Sequence, residues 1–507
     1  MAPRPGWRAE RAAWPLIDPL ATGAVAPDSP DREAAKRVGC AKDDIVLRTF
    51  REWGIRMSGA VSPLGAARSQ GRVTTFVLSL GLFVAGLAVV LATVVDMRRA
   101  FLLEPAVYRK LGAPSAFLQY TPWHLLVLAI ALVSASAAYR VMRGAEQQFG
   151  DPSGLRLARN VLAGLLMAML VVDLFVYRIV QAERVASAGK AGIAKTFALD
   201  ALPTWLRPIG EAANFLLVVW HATTLGILLG ALFLVLLCAS PRLQRVYELR
   251  GFRAHVLGSA SALAYPFCSC CAGPLGASLY RGGASLESSL AFVVAAPLLN
   301  VTTLFLATAL LPADFALLRI VGGIALAVFG TWLVALAVRR RPPLLVEAGT
   351  AGRGIRWLER LTSFFAFERH LAGRRIDTPT ELIAAWLRTT WVIARVAIPM
   401  LFIAAAVVGW AAPILTALGG GNTVGTVLFA TLVGVLFMIP TWTELAIAAP
   451  LIQQGMTGPA AALLLALPAV SLPSVLIYGA ALRDWRVPAL MVIVVAAVSI
   501  VAGLLFL

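Results

Sequence analysis

Three cysteines fall within four residues in the run Pro266-Phe-Cys268-Ser-Cys270-Cys271-Ala-Gly273-Pro274. Thiolates are soft ligands, suited to copper(I), zinc and similar soft ions or metalloids. Three readings are open for Cys268, Cys270 and Cys271. They line a transport path, or they coordinate substrate directly, with Cys268 and Cys270 as transient metal contacts, or they pack as small hydrophobes. A structural zinc site is disfavoured, because no second Cys/His pair lies at ligand spacing. Pro274, beside Gly273, interrupts any helix through the run. A second chemical feature is Glu444, inside Ile-Pro-Thr-Trp-Thr-Glu444-Leu-Ala-Ile-Ala-Ala-Pro. A carboxylate within an apolar run is costly and faces a cavity or a partner. It is expected in a solvent-reachable cavity, binding a cation, a coupling proton or substrate. Asn300 and Ser471 stand beside Pro297 and Pro468, where each offers hydrogen bonds without a charge. Asp173, near Arg178, and His221 are also intramembrane and carry a weaker signal.

The elements that must position these residues are membrane spans. Of 507 residues, 59% are hydrophobic and 14% charged, against about 25% charged in soluble proteins. Several runs are long enough to cross a hydrocarbon core of about 30 Å. The net charge of +18 comes with no nucleic-acid motif; the arginines sit between apolar runs, where they meet anionic lipid and set orientation. The polar, Pro-rich start does not read as a signal peptide. No Gly-Lys-Ser/Thr phosphate loop is present, so ATP hydrolysis by that motif is not expected.

The order after residue 211 is span, broken segment ending at Arg281-Gly-Gly283, apolar run with Pro297 and Asn300, then span. After residue 388 the same order returns, with a break around Pro440, Gln454-Gly455, then Pro468 and Ser471. The loop 339–388 holds ten arginines against five acidic residues. The positive-inside rule keeps it with the N-terminus only if each broken segment enters and leaves on one side. The loops near 140–160, 239–257, 339–388 and 483–486 then lie inside, with 413–423 and Leu507 outside. The expected fold is an all-α polytopic membrane protein of about nine transmembrane helices plus two re-entrant or broken segments, arranged as an inverted repeat. The expected divisions are a cytoplasmic extension at 1–72, an accessory three-helix region at 73–205, permease repeats at 206–338 and 389–507, and the basic loop 339–388 between them.

At these residues the chain resembles the predicted permease family that includes the trivalent organoarsenical efflux permeases. The family's Pro-x-Cys-x-Cys start, Arg-Gly-Ala turn and Pro–Asn pair match Pro266, Cys268, Cys270, Arg281, Gly283, Ala284, Pro297 and Asn300. Its second motif matches Pro440, Thr441, Glu444, Gly455 and Met456. Cys271 and Leu467-Pro468-Ala469 depart from the pattern, and 1–205 has no counterpart. Over 211–507 the resemblance implies a secondary permease exporting a small solute, such as a trivalent organoarsenical or other soft metalloid or metal species, without a cofactor. The expected setting is multi-pass in the inner membrane, with the bilayer, the solute and a coupling proton as partners, no nucleic acid, and a homo-oligomer as a further option. A membrane enzyme would gather its histidines at one interface, but His124, His221, His255 and His370 are scattered. An assembly subunit or non-transport structural protein would need neither thiols nor a carboxylate in broken segments.

Overall fold

The structure, a computed structural model, describes residues 63–98, 118–149, 151–188, 202–263, 269–339, 374–416, 421–437, 443–471 and 484–507, with short pieces at 199, 370–371 and within 474–482. These residues form helices and connecting turns. The chain is an all-α polytopic membrane protein. Seven helices, or eight counting one bent pair, are long and apolar enough to cross a bilayer.

Helices α1 (Pro63–Met97), α2 (Pro122–Gln147) and α3 (Pro152–Ala188) precede α4 (Arg207–Ala239) and the short α5 (Pro241–Tyr247). Prolines open α2, α3 and α5, where the missing N–H costs nothing. Then follow α6 (Phe252–Ala262), α7 (Ser269–Arg281), α8 (Leu286–Leu298) and α9 (Val301–Leu310). Next is α10 (Ala313–Ile324), continued by a π-helical turn at Ala325–Gly330 into α11 (Thr331–Arg339). The second half holds α12 (Pro379–Thr416), α13 (Val424–Leu436), α14 (Thr443–Gln453), α15 (Thr457–Ala469) and α16 (Arg486–Leu505).

Helices α6 and α7 are a hairpin. A Cβ placed on Gly258 of α6 would meet Ser288 O and Ala291 of α8, and one on Gly276 of α7 would meet Ser289 O and Val293. In one continuous helix those glycines would be about 27 Å apart at 1.5 Å per residue, yet both touch the same two turns of α8. The exit is tied to the entry, since Ser285 N donates to Tyr247 O at 2.8 Å. The same construction recurs in α13 and α14: Gly458 N, just after the hairpin, donates to Asn422 Oδ1, just before it, at 2.8 Å.

The two hairpins enter from opposite ends of the bundle. Arg339, at the end of α11, pairs with Glu287, at the start of α8, which places both at the entry end of the first hairpin. Glu146 accepts from Thr380 N at 2.9 Å, so α2 ends where α12 begins. Helix α12 runs antiparallel to α4, because Trp386 Nε1 donates to Leu228 O while Trp410 Nε1 donates to Trp205 O. The second hairpin therefore starts at the far end, where Asn422 Nδ2 also donates to Phe506 O and Leu507 O. The described residues 148–149, 240–251, 374–378 and 484–485 thus share one end, and 421–422 and Leu507 the other, as the arginine distribution predicts.

Helices α8 and α9 form the axis: 83% of their most apolar stretch is buried, against 22% in each of α1 and α2. The outer helices show large apolar side chains such as Leu78, Ile130 and Val172 to the surroundings, as lipid contact requires. The remaining span expected, at 458–482, is divided at Val470–Ser471 into α15 and shorter pieces. It corresponds to the α8–α9 rod, which is divided at Leu299–Asn300.

Candidate functional site

Each hairpin tip meets the helix break of the other half. The first tip brings the start of α7 against the second break, where a Cβ on Gly273 would lie 2.7 Å from Ser474 Cβ and 3.0 Å from its Cα. Only glycine allows that approach. Cys270 and Cys271 belong to the first turn of α7. Cys268 lies outside the described residues, as do the side chains of Cys270, Cys271 and Pro274. Ser471 is fully buried; its hydroxyl lies 3.0 Å from Ser474 Oγ, and its N–H donates to that same oxygen at 3.1 Å. The serine pair closes the break by capping the backbone that Pro468 and the kink leave open.

The second tip brings Glu444, in the first turn of α14, to the first break. Glu444 is 1% exposed and accepts from Arg319 Nη2 at 3.0 Å. The sequence reading expected a solvent-reachable cavity here; in this conformation the carboxylate is enclosed, because an arginine on α10 covers it. Arg319 is itself fully buried and donates to Leu464 O at 3.1 Å and to Pro297 O at 3.2 Å. Both carbonyls are available for physical reasons. Leu464 O would normally accept from residue 468, which is proline and has no N–H. Pro297 O would normally accept from residue 301, but the chain turns extended at Asn300 (φ −54, ψ 115) and the ladder stops. One guanidinium therefore joins both prolines of the repeated pattern to the carboxylate of the second hairpin.

Asn300, 1% exposed, caps α9, its Oδ1 accepting from Thr302 N at 3.0 Å. Sequence reasoning selected Asn300, Glu444 and Ser471 but passed over Arg319. The signal was present, since an arginine seven residues into an apolar run is as costly as a carboxylate there.

A separate buried cluster joins the end of α1 and α3 to α4. Asp173 Oδ1 accepts from Arg98 Nη2 at 2.6 Å, and His221 Nε2 stands 3.5 Å from Asp173 Oδ2. The Arg98 guanidinium lies 5.1 Å over the Tyr177 ring, a cation–π contact. Arg98 stands 75 residues from Asp173 in the chain; the side chain of Arg178, beside Asp173 in sequence, lies outside the described residues. Among the described residues, no group of three or more His, Cys, Asp or Glu is placed to hold a metal ion.

The profile of the family described as a predicted permease, ArsP_1, matches residues 211–507. The chain belongs to this permease family. UPF0718 protein YraQ of Escherichia coli (strain K12) is 32% identical over 297 residues, covering 57% of this chain and 77% of the relative. UPF0718 protein MJ0584 of Methanocaldococcus jannaschii is 26% identical over 276 residues, covering 44% and 73%. No solved structure matches. The matched region begins within α4 and takes in both hairpins and both breaks, so the first three helices lie outside it.

Proposed function

We propose that this membrane permease is a secondary transporter whose path runs between the two hairpin tips, and that it exports a small solute such as a trivalent organoarsenical or other soft metalloid. The observation that carries the reading is the exchange of contacts: the cysteine-bearing hairpin meets the Ser471–Ser474 break, and the Glu444 hairpin meets the Pro297–Asn300 break. Irregular backbone at membrane depth is tolerated where it is enclosed by protein or lines a cavity. Two like units entered from opposite ends, with breaks near mid-depth, are the usual plan for alternating access. Rocking one unit against the other would open these contacts first to one side and then to the other.

In this reading Cys268 and Cys270 make two transient thiol contacts to the solute, weak enough for release. Cys271 and Pro274 shape the tip. Asn300 and Ser471 offer neutral hydrogen bonds, and Glu444 carries a coupling proton that loosens Arg319 when it binds. The basic end faces the cytoplasm of the inner membrane, by the positive-inside rule. In the same reading 73–205 is an accessory region and 206–338 and 389–507 are the two permease repeats. The role is transport rather than catalysis.

The deciding experiment compares uptake of a thiol-seeking trivalent organoarsenical and a non-thiol-seeking solute into everted vesicles. The Cys268→Ser/Cys270→Ser variant is expected to lose the first selectively, with Cys271→Ser milder. Equal retention of both solutes in the double variant would remove thiol contact from the reading.

A further inference from the structure

The break between α8 and α9 holds buried donors that have no partner among the described residues. The Asn300 amide folds over the start of α9, where its Oδ1 holds Thr302 N; its Nδ2 has no partner among the described residues. Thr303, one residue further along the first turn and fully buried, has a hydroxyl without a partner among them. Arg319 spends both Nη atoms on Pro297 O, Leu464 O and Glu444, and its buried Nε is likewise without a partner. A buried donor left unmet costs about 1–3 kcal/mol, and native proteins tolerate few.

Asn300 and Thr303 belong to the start of α9, and Arg319 on α10 reaches Pro297 O, three residues before Asn300. The start of α9, ten residues long, adds the positive end of its dipole and backbone N–H groups not used inside the helix. An amide NH2, a guanidinium Nε–H and a hydroxyl are donors, and with the Arg319 charge balanced by Glu444 the helix N-terminus supplies the positive potential. A ligand that satisfies them offers acceptors and negative charge. A soft cation would find no acceptor on these atoms save the threonine oxygen.

We infer that the Pro297–Asn300 break is a binding site for a small oxyanion, held by Asn300 Nδ2, Thr303 Oγ1, Arg319 Nε and the first turn of α9. This deepens the transport reading and rests on it for the site's role, because it names the chemistry of one end of the path.

The test is saturable binding to the purified full-length protein, read as a shift in thermal unfolding with sulfate, phosphate and nitrate, at ionic strength held constant with chloride. At least one oxyanion is expected to raise the unfolding temperature with a saturating dose. Asn300→Asp keeps a good helix cap but turns the donor into a charged acceptor, and should cut affinity at least tenfold. Thr303→Val keeps shape, removes the hydroxyl, and should weaken binding several-fold even if the aspartate variant folds poorly. No saturable shift with any of the three oxyanions, or unchanged affinity in both variants, overturns the proposal. A shift with uncharged arsenous acid and none with the oxyanions also overturns it. Retained thiol-dependent transport alongside absent oxyanion binding would sink this site alone; oxyanion binding alongside absent transport would sink the transport reading alone.

Discussion

Breaking the Arg319–Glu444 pair from either side should cost far more than removing both partners. Both side chains are buried, at 0% and 1% exposure, and 3.0 Å apart. Arg319→Met leaves Glu444 without that counter-charge, and Glu444→Leu leaves the guanidinium with only two carbonyls. Stranding one buried charge costs about 3–5 kcal/mol, and Arg319→Met also takes the donor from Leu464 O and Pro297 O, so the two single changes sum to at least about 6–10 kcal/mol. In the double variant no charge is stranded, and replacing a buried pair by apolar side chains is often neutral or favourable. What remains is the loss of donors to Leu464 O and Pro297 O, each unmet carbonyl costing about 1–3 kcal/mol. The double variant should therefore cost about 2–6 kcal/mol, well under the sum of the singles. Equilibrium unfolding in mixed detergent micelles, run on all four proteins as a double-mutant cycle, reads this directly. The double variant should be folded and inactive in proteoliposomes. Single effects that add within about 0.5 kcal/mol would refute the argument that one guanidinium holds the two halves through a charge.

Reporter fusions placed after residues 360 and 507 should give opposite signals, and equal signals would contradict the hairpin topology. Gly258→Ala would force a Cβ into Ser288 O and should cost about 1–3 kcal/mol by overpacking. Gly164→Ala, with open space around it, should be neutral or slightly stabilising in the same unfolding assay. Asp151 caps α3, accepting from Ser153 N at 2.9 Å. The Ser153 hydroxyl, then the Ser153 and Gly154 N–H groups, hold its carboxyl below the usual carboxylate range. Because this pKa is depressed on folding, the stabilisation is present above the ordinary carboxylate pKa and fades as pH falls through the folded one. The stability difference between wild type and Asp151→Ala should thus be larger at pH 7 than at pH 3; the reverse order would exclude the charge as its source.

Run length and charge are local properties, and they determined the spans, the repeated order and the common end of the arginine-rich loops. A bilayer sorts segments by apolar length and basic flanks almost independently of packing. Glycine and proline spacing likewise marked both hairpins and both breaks, because those residues constrain their own backbone. What the sequence left undetermined was which tip meets which break. Arg319 and Glu444 are 125 residues apart, and Arg98 and Asp173 are 75 apart, so neither pair shows in the local sequence. Glu444 read as a group awaiting solvent, since nothing beside it in the chain could neutralise it. Only the fold brings α10 across the end of α8, so that one arginine meets a carbonyl freed by Pro468, a carbonyl freed at Asn300, and a carboxylate from the other half. Buried charge is neutralised by whatever is near in space, and in a bundle of crossing helices that is set by packing rather than by sequence distance.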